Sequence, residues 1–567
     1  MPALPVSPRG AAAHGKVGDG YIKVASGKAR PHLKCKLCGE FPPVKSNQAV
    51  VEERDRFLGY LVGDPVTCPV ETCTNHSLPV DTPGAYQKFG RTKAGSLRLK
   101  CKACGRVFSH AVKNSLRQRQ PHKNRIILSL LLNKSPLRRI CEVAEIVPKT
   151  LYQRIEFFHK QAMEFAAHRE RRLLDGMEIP RLYLAVDRQD YLLNWAAQDD
   201  RRNVALHAVG SADDQTGYVF GMHVDYDECA DGDQIEADAK AIADGALPAP
   251  YRKYARLWLQ ADYLDEVRAK SRSAKRKSSG RLHDGVVTDI EEAYDKLADR
   301  EDVEAPPTQN SNTRLPLSGM QTHSEYTLYG HFFFLERLLR GAGKIRFMMD
   351  QESGIRAACL AAFKERSLAR TCDAFYVSIN KGLTINERRR VMARSRSDFE
   401  AAKASFPGMT DREVQLELIK SRLAAMKPIG KWSDRWVLHP FPSMSEPEKA
   451  ICYLTDMGDY PPVQLASLYR RASLHAIDRF FMQIRRRVNL LERPIKSASA
   501  EGRTWYGYSP YKPETVVRVL EIFRVAYNYC FVGDDKKTPA MRLGLAKAPI
   551  DLEDVIYFSE DRRLKAA

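Results

Sequence analysis

The sequence predicts a multidomain α/β protein: an N-terminal zinc ribbon and helix-turn-helix, then a mixed-sheet core with an insertion, then a helical C-terminal tail. Three observations lead there. Cysteines cluster before residue 105, glycine is absent across 122–175 where apolar residues keep helical spacing, and from 181 onward apolar runs end in aspartate. At 567 residues the chain is too long for one hydrophobic core, so several domains are expected.

Ninety Lys and Arg against seventy Asp and Glu leave a net charge of +20 and a pI near 9.3. Such a balance is silent about fold but favours a polyanionic partner over a neutral one. No run of eighteen apolar residues occurs, so no membrane span is expected. Residues 1–30 lack the apolar stretch of a secretory signal and read as a disordered leader, which implies a cytoplasmic, nucleoid-associated protein. Twelve cysteines are too sparse for a disulfide scaffold, and six of them precede residue 105, which points to metal in a reducing compartment.

Residues 31–115 form the expected zinc-binding region. Cys68 and Cys73 are followed by Cys101 and Cys104, with Gly105 after the second pair. Two tight turns that each present two thiolates supply a zinc tetrahedron, and the glycine suits a turn with positive φ. Residues 84–100 alternate around a glycine turn as a ribbon hairpin would. Cys35 and Cys38 have similar spacing, with His32 and His76 as candidate co-ligands of a second zinc.

Residues 122–175 are expected to form the helix-turn-helix, with Ser135 as N-cap of its second helix and a break at 146–150. Lys149, Gln153 and Arg154 open the third helix, where side chains reach base edges, Arg suiting guanine and Gln adenine.

The core, 180–495, opens with strands at 181–187, 203–210 and 217–225, an antiparallel meander. Residues 264–318, with a basic run and a polar run, read as a flexible insertion holding a helix near 290–300. Further strands are expected at 344–350 and 373–379, and helices at 326–341, 352–366, 386–427 and 465–493. Residues 496–567 form the helical tail.

Three aspartates stand where a two-metal phosphodiester site needs them. Asp187 ends the first strand, Asp350 ends a later strand followed at once by a helix, and Asp478 lies in a helix with His475 three residues before it. Asp262 competes with Asp350, and Glu492 with Asp478; Asp190, Asp225 and Asp227 read as turn or surface residues. Arg479, Arg485, Arg486 and Arg487 follow on the same helix and suit phosphate neutralisation.

With these pieces the chain resembles bacterial insertion-sequence transposases of the acidic-triad, RNase H-like superfamily, with a layout similar to the insertion-sequence-one type. CPVETCTNH with LKCKACGRVFS resembles their ribbon, LHAIDRFFMQIRRRVNLLER their catalytic helix, and YSPYKPETVVRVLEIFRVAYNYC with KKTPAMRLGLAK their tail. The resemblance implies that Asp187, Asp350 and Asp478 bind Mg²⁺ or Mn²⁺, that water cuts the end of a transposon, and that the freed 3′-OH attacks target DNA. It also implies a homodimer or larger assembly on double-stranded DNA. The family usually carries Glu as its third acid, where this chain has Asp478, one methylene shorter. A DNA-binding regulator without catalysis, or a nuclease without joining activity, are the competing readings.

Overall fold

The computed structural model of the chain describes residues 44–62, 66–80, 82–92, 97–109, 118–194, 203–263, 285–299, 318–352, 354–380, 382–429, 434–492 and 512–558. It also gives the backbone of short strands at 6–7, 21–24, 32–35, 495–496 and 504–505. Strand pairing of 6–7 with 45–46, and of 21–24 with 32–35, therefore falls partly within the stretch expected to be a leader. Cys38 lies outside the described residues, and of His32 and Cys35 only the backbone is described.

Helix α1 (Asn47–Val62) interrupts the region read as one zinc unit. Its buried Val50, Phe57, Leu58 and Leu61 form an apolar stripe too large for a ribbon to cover, so it packs on the core. Phe57 stacks on His223 at 3.8 Å, and the Arg56 guanidinium donates to the carbonyls of Val224 and Tyr226. The ribbon itself is the small antiparallel sheet of β1 (Tyr86–Arg91), β2 (Leu97–Cys101) and β3 (Val107–Ser109).

Three helices follow: α2 (Asn124–Leu131), α3 (Leu137–Ala144) and α4 (Pro148–Leu174). Pro136, not Ser135, is the N-cap of α3, with extended backbone, and Pro148 takes the first position of α4, where its missing N–H costs nothing. Helix α4 is 27 residues long, so it outruns the unit it opens and enters the core through Phe165, Ala166, Glu170 and Leu173.

The core is an eight-stranded mixed sheet. Strands β4 (Ile179–Asn194), β5 (Asn203–Asp213) and β6 (Val219–Val224) form the antiparallel meander. Strand β7 (Ala342–Asp350) lies parallel to β4, and β8 (Cys372–Ile379) parallel to β7. Three antiparallel strands extend the sheet: β9 (Lys427–Ile429), β10 (Asp434–Leu438) and β11 (Lys449–Tyr453). The order is β6-β5-β4-β7-β8-β11-β10-β9. The last three strands escape a sequence reading because each is at most five residues long among prolines and charges.

The remaining helices used below are α5 (Val286–Asp299), α6 (Ser324–Leu338), α7 (Ile355–Ala362), α8 (Ile385–Ala404), α9 (Asp411–Ala424), α10 (Pro462–Arg471), α11 (His475–Arg487) and α12 (Pro513–Tyr529). The stretch 465–493, expected as one helix, breaks at 472–474 into α10 and α11, and 386–427 divides into α8 and α9. Helix α5 stands where a helix was expected within the insertion; residues 264–284 and 300–317 lie outside the described residues. Among the described residues, no helix is long and apolar enough to cross a membrane.

The two faces of the sheet are covered differently. On one, Phe332 of α6 meets Phe347 of β7 at 5.5 Å. On the other, Tyr469 of α10 lies edge-on to Phe375 of β8 at 5.8 Å, and α11 crosses β4 and β5. Helix α12 is no peripheral tail: fourteen of its seventeen residues are buried. Its Asn528 amide accepts from the Val219 N–H at 2.9 Å and donates to the Val219 carbonyl at 2.8 Å. That closes part of the free edge of β6, which would otherwise invite another strand. Buried Arg524 donates to Glu170 at 2.8 Å and to Glu521 at 2.6 Å, tying α12 to α4. Breaking such a buried pair by removing one partner strands a charge.

Gly210 of β5 fixes how closely α11 approaches. A Cβ there would meet Ile477 Cδ1 at 2.8 Å, Met222 Sδ at 3.1 Å and Phe481 Cε1 at 3.2 Å. Gly210→Ala is expected to lower unfolding free energy by about 1–3 kcal/mol, the usual range for overpacking, read from urea melts. An unchanged midpoint would mean that α11 has slack over the sheet.

Candidate functional site

The four cysteines converge as the spacing predicts. Cys68 Sγ lies 3.5 Å from Cys104 Sγ, and Cys73 Sγ 3.7 Å from Cys101 Sγ. A tetrahedron with Zn–S bonds of about 2.3 Å has edges of roughly 3.8 Å, so four thiolates at these separations fit zinc. All four sulfurs lie within 4.8 Å of one another. Gly105 has φ +72 and its N–H donates to the Cys101 carbonyl at 2.9 Å, the tight turn that favours glycine. Asn75, not singled out in the sequence, donates from its side chain to Cys101 Sγ and from its backbone to Cys73 Sγ, both at 3.4 Å. Burial pushes the Cys68 thiol up to about 12. For Cys101 burial also raises, but hydrogen bonds from the backbone around Cys104 and Ala103 outweigh it and lower the thiol to about 6. His76 is not a ligand of this group: its Nδ1 lies 2.8 Å from the Cys68 carbonyl oxygen.

A second cluster forms at the C-terminal edge of β7. Met349 pairs with Val186, so one residue further Asp350 stands level with Asp187 on the neighbouring parallel strand. On its other side Asp187 pairs with Gly210, so its side chain shares the face that α11 covers. Carboxylate oxygens of Asp187, Asp350 and Glu352 all lie within 4.8 Å of one another. Hard oxygen donors at this spacing suit Mg²⁺ or Mn²⁺. Asp187 is buried and also accepts the Arg188 N–H at 2.7 Å, while Asp350 accepts the Gln351 N–H at 3.0 Å. Arg188 forms an ion pair with Glu352 at 2.9 Å, which brings one positive charge to three negative ones.

No family model, curated protein or solved structure matches the chain.

Several expected residues are placed elsewhere. Asp262 is not in the converging group: it pairs with Arg252 at 2.6 Å and accepts the Leu259 N–H at 3.0 Å. Asp478 is not in the converging group, whose third member is Glu352. It sits half-buried in the first turn of α11, next to Ile477, which lies over Gly210. A carboxylate in the first turn of α11 is favoured by the positive end of the helix dipole. Exposed His475 opens the same helix, and its N–H donates to Ser473 Oγ at 3.0 Å. Glu492 is exposed and pairs with Lys134 at 2.9 Å. Asp225 and Asp227, expected on turns or the surface, are buried: Asp225 accepts the His207 N–H at 2.7 Å, and Asp227 pairs with Arg256 at 2.7 Å. Burial pushes the Asp225 carboxyl up to about 6. Asp190 keeps an exposed side chain, 2.6 Å from His207 Nδ1.

Glu352 and Arg188 were the signals missed. Glu352 lies two residues past the end of β7, where alternation no longer sets side-chain direction, whereas Arg188 lies within β4, which runs on to Asn194 instead of ending at Asp187 as expected.

At the start of α4, Lys149 and Gln153 are exposed, but Arg154 is buried. Position 154 falls three residues after Leu151 and four before Phe158, in the middle of the buried stripe. Its guanidinium donates to the Arg119 carbonyl at 2.7 Å. Arg154→Ala is therefore expected to destabilise the fold by about 1–3 kcal/mol. Lys149→Ala should leave the melting midpoint unmoved. Equal midpoints for the two variants would contradict this division.

On α11, Arg479 and Arg486 are exposed while Arg485 and Arg487 are half-buried. Arg487 reaches Asn133 Oδ1 at 3.4 Å and covers the Phe531 ring at 4.4 Å. Lys134, in the left-handed region with φ +64, donates its N–H to the Arg487 carbonyl and its ammonium to the Arg485 carbonyl, both at 2.6 Å. The turn after α2 thus caps the carbonyl end of α11, joining the three-helix unit to the helix beside the carboxylates.

Proposed function

We propose that the chain is a transposase: it binds transposon-end DNA and carries out metal-dependent strand cleavage and strand transfer. The observation that carries this reading is the level placement of Asp187 and Asp350 on adjacent parallel strands, beneath the helix that bears Asp478. A three-strand antiparallel meander followed by two strands parallel to its first member is the arrangement expected of an RNase H-like core, and β4 to β8 have that order. The sequence resemblance and the net charge of +20 support the same reading.

In this reading Asp187 and Asp350 hold Mg²⁺ or Mn²⁺, with Glu352 as third donor and Asp478 beside them. The metal, when bound, supplies Lewis-acid activation of the attacking oxygen and stabilisation of the leaving one. Lys149 and Gln153 reach base edges, and the exposed Arg479 and Arg486 neutralise phosphates. The cysteine site binds Zn²⁺ and shapes the ribbon without touching the reaction. The protein acts as a homodimer or larger assembly on paired ends, in the cytoplasm at the nucleoid.

The deciding experiment incubates the protein with labelled duplex carrying the DNA that flanks its reading frame, with Mg²⁺ or Mn²⁺. Nicked and joined products that vanish with Asp350→Asn support transposition, and nicks without joints indicate a nuclease. Binding without either product indicates a DNA-binding regulator. The Arg188–Glu352 ion pair favours that last outcome, because a guanidinium can stand in for a cation.

A further inference from the structure

We propose that the outward face of α8 is a docking surface for the phosphate backbone of duplex DNA. The inference rests on the nucleic-acid reading above and adds to it a contact surface outside the three-helix unit and α11.

Helix α8 buries none of its side chains. It is held as a helix by its own capping box, in which the Thr384 N–H donates to Glu387 Oε2 at 2.7 Å and the Glu387 N–H to Thr384 Oγ1 at 3.4 Å. Its inward side rests lightly on the protein: Ser395 Oγ donates to the Pro440 carbonyl at 2.8 Å, and Phe399 meets Phe441 at 5.8 Å. A 20-residue helix with no core face has some other use for its surface.

That surface is one-signed where it matters. Residues 388–396 hold five arginines and no acid. Arg388 is turned back onto the Leu383 and Met444 carbonyls, whereas Arg389, Arg390, Arg394 and Arg396 are exposed. None of these four enters an ion pair among the described residues. The helix's acids, Glu387, Asp398 and Glu400, flank the run. Arg389 and Arg396 are two turns apart, about 10 Å along the axis, and about six phosphate charges lie along that length of duplex.

The position fits as well. Val377 of β8 stands level with Asp350, β8 ends at Ile379, and α8 begins at Ile385. Six residues span at most about 20 Å, so the arginine helix starts close to the edge that carries the carboxylates. A lipid surface would need an apolar face turned outward. On α8 only Ile385 is a strongly exposed large apolar residue, while Val391, Met392 and Phe399 are half-buried.

The test uses the full-length, zinc-loaded protein and a random-sequence duplex, with anisotropy titrations between about 50 and 200 mM salt. For the triple variant R389Q/R390Q/R396Q, the slope of log affinity against log salt is expected to fall by about 2–3, near 0.9 per lost contact, with affinity at low salt at least about tenfold weaker. The thermal midpoint should not move, because the three side chains are exposed. A variant that binds with wild-type slope and affinity overturns this inference and leaves the transposase reading intact. A wild-type protein that binds no duplex overturns both.

Discussion

Asn in place of Asp187 is expected to abolish divalent-metal binding at the sheet edge. Wild-type protein should gain unfolding free energy on adding Mn²⁺, about 2.7 kcal/mol at a hundred times its dissociation constant, and the variant should gain none. Metal-dependent nicking should fall by at least about 100-fold, since the change removes a donor that contacts the ion rather than one that orients it. The metal-free protein should respond in the opposite sense. Three carboxylates within 4.8 Å repel one another, and removing one charge should stabilise the metal-free fold by on the order of 1 kcal/mol. Thermal melts with and without Mn²⁺ check both halves. A variant that keeps the metal-induced shift would remove Asp187 from the site. Glu352→Gln and Asp478→Asn, measured the same way, decide which of them is the third ligand: the shift shrinks only for the true donor.

Loss of zinc is expected to have an equally large but purely local effect. Between residues 66 and 109 the buried apolar side chains among those described are Cys68, Ala85, Leu99 and Cys101. So small a core cannot hold a ribbon together, and structural zinc sites supply about 10–16 kcal/mol of apparent binding energy in small zinc domains. Cys101→Ser, or a strong chelator, should therefore erase amide protection across β1, β2 and β3 while the transition of the main sheet stays where it was. Hydrogen exchange by mass spectrometry reads the first, calorimetry the second. Zinc affinity should fall as pH falls, because thiolates bind the metal and protons compete for them. Retained protection in the ribbon after zinc removal would show that the metal is dispensable to its fold.

The cysteine site was fully legible in the sequence because ribbon ligands are local: two short turns and a hairpin bring them together. The carboxylate site was legible only in part. Asp187 and Asp350 announce themselves at the ends of apolar runs, and their meeting follows from parallel pairing of β4 with β7. Glu352 and Arg188 do not: Glu352 lies past the end of β7, and Arg188 follows the apolar run in a strand that continues to Asn194, so neither reads as part of a site. Arg154 misled for the opposite reason. Its type suits base readout, but its place in the 3.6-residue repeat puts it inside.

By itself the sequence determined the ribbon and its thiolates, the main helices and the first five strands of the core, and the two aspartates at the ends of apolar runs. Local spacing and periodicity encode all of these. Only the tertiary structure decided that Glu352 completes the converging group while Asp478 stays outside it, that α1 and α12 belong to the core, and that β9 to β11 widen the sheet. Those outcomes depend on which apolar stripe finds which face across hundreds of residues, and no local pattern carries that information.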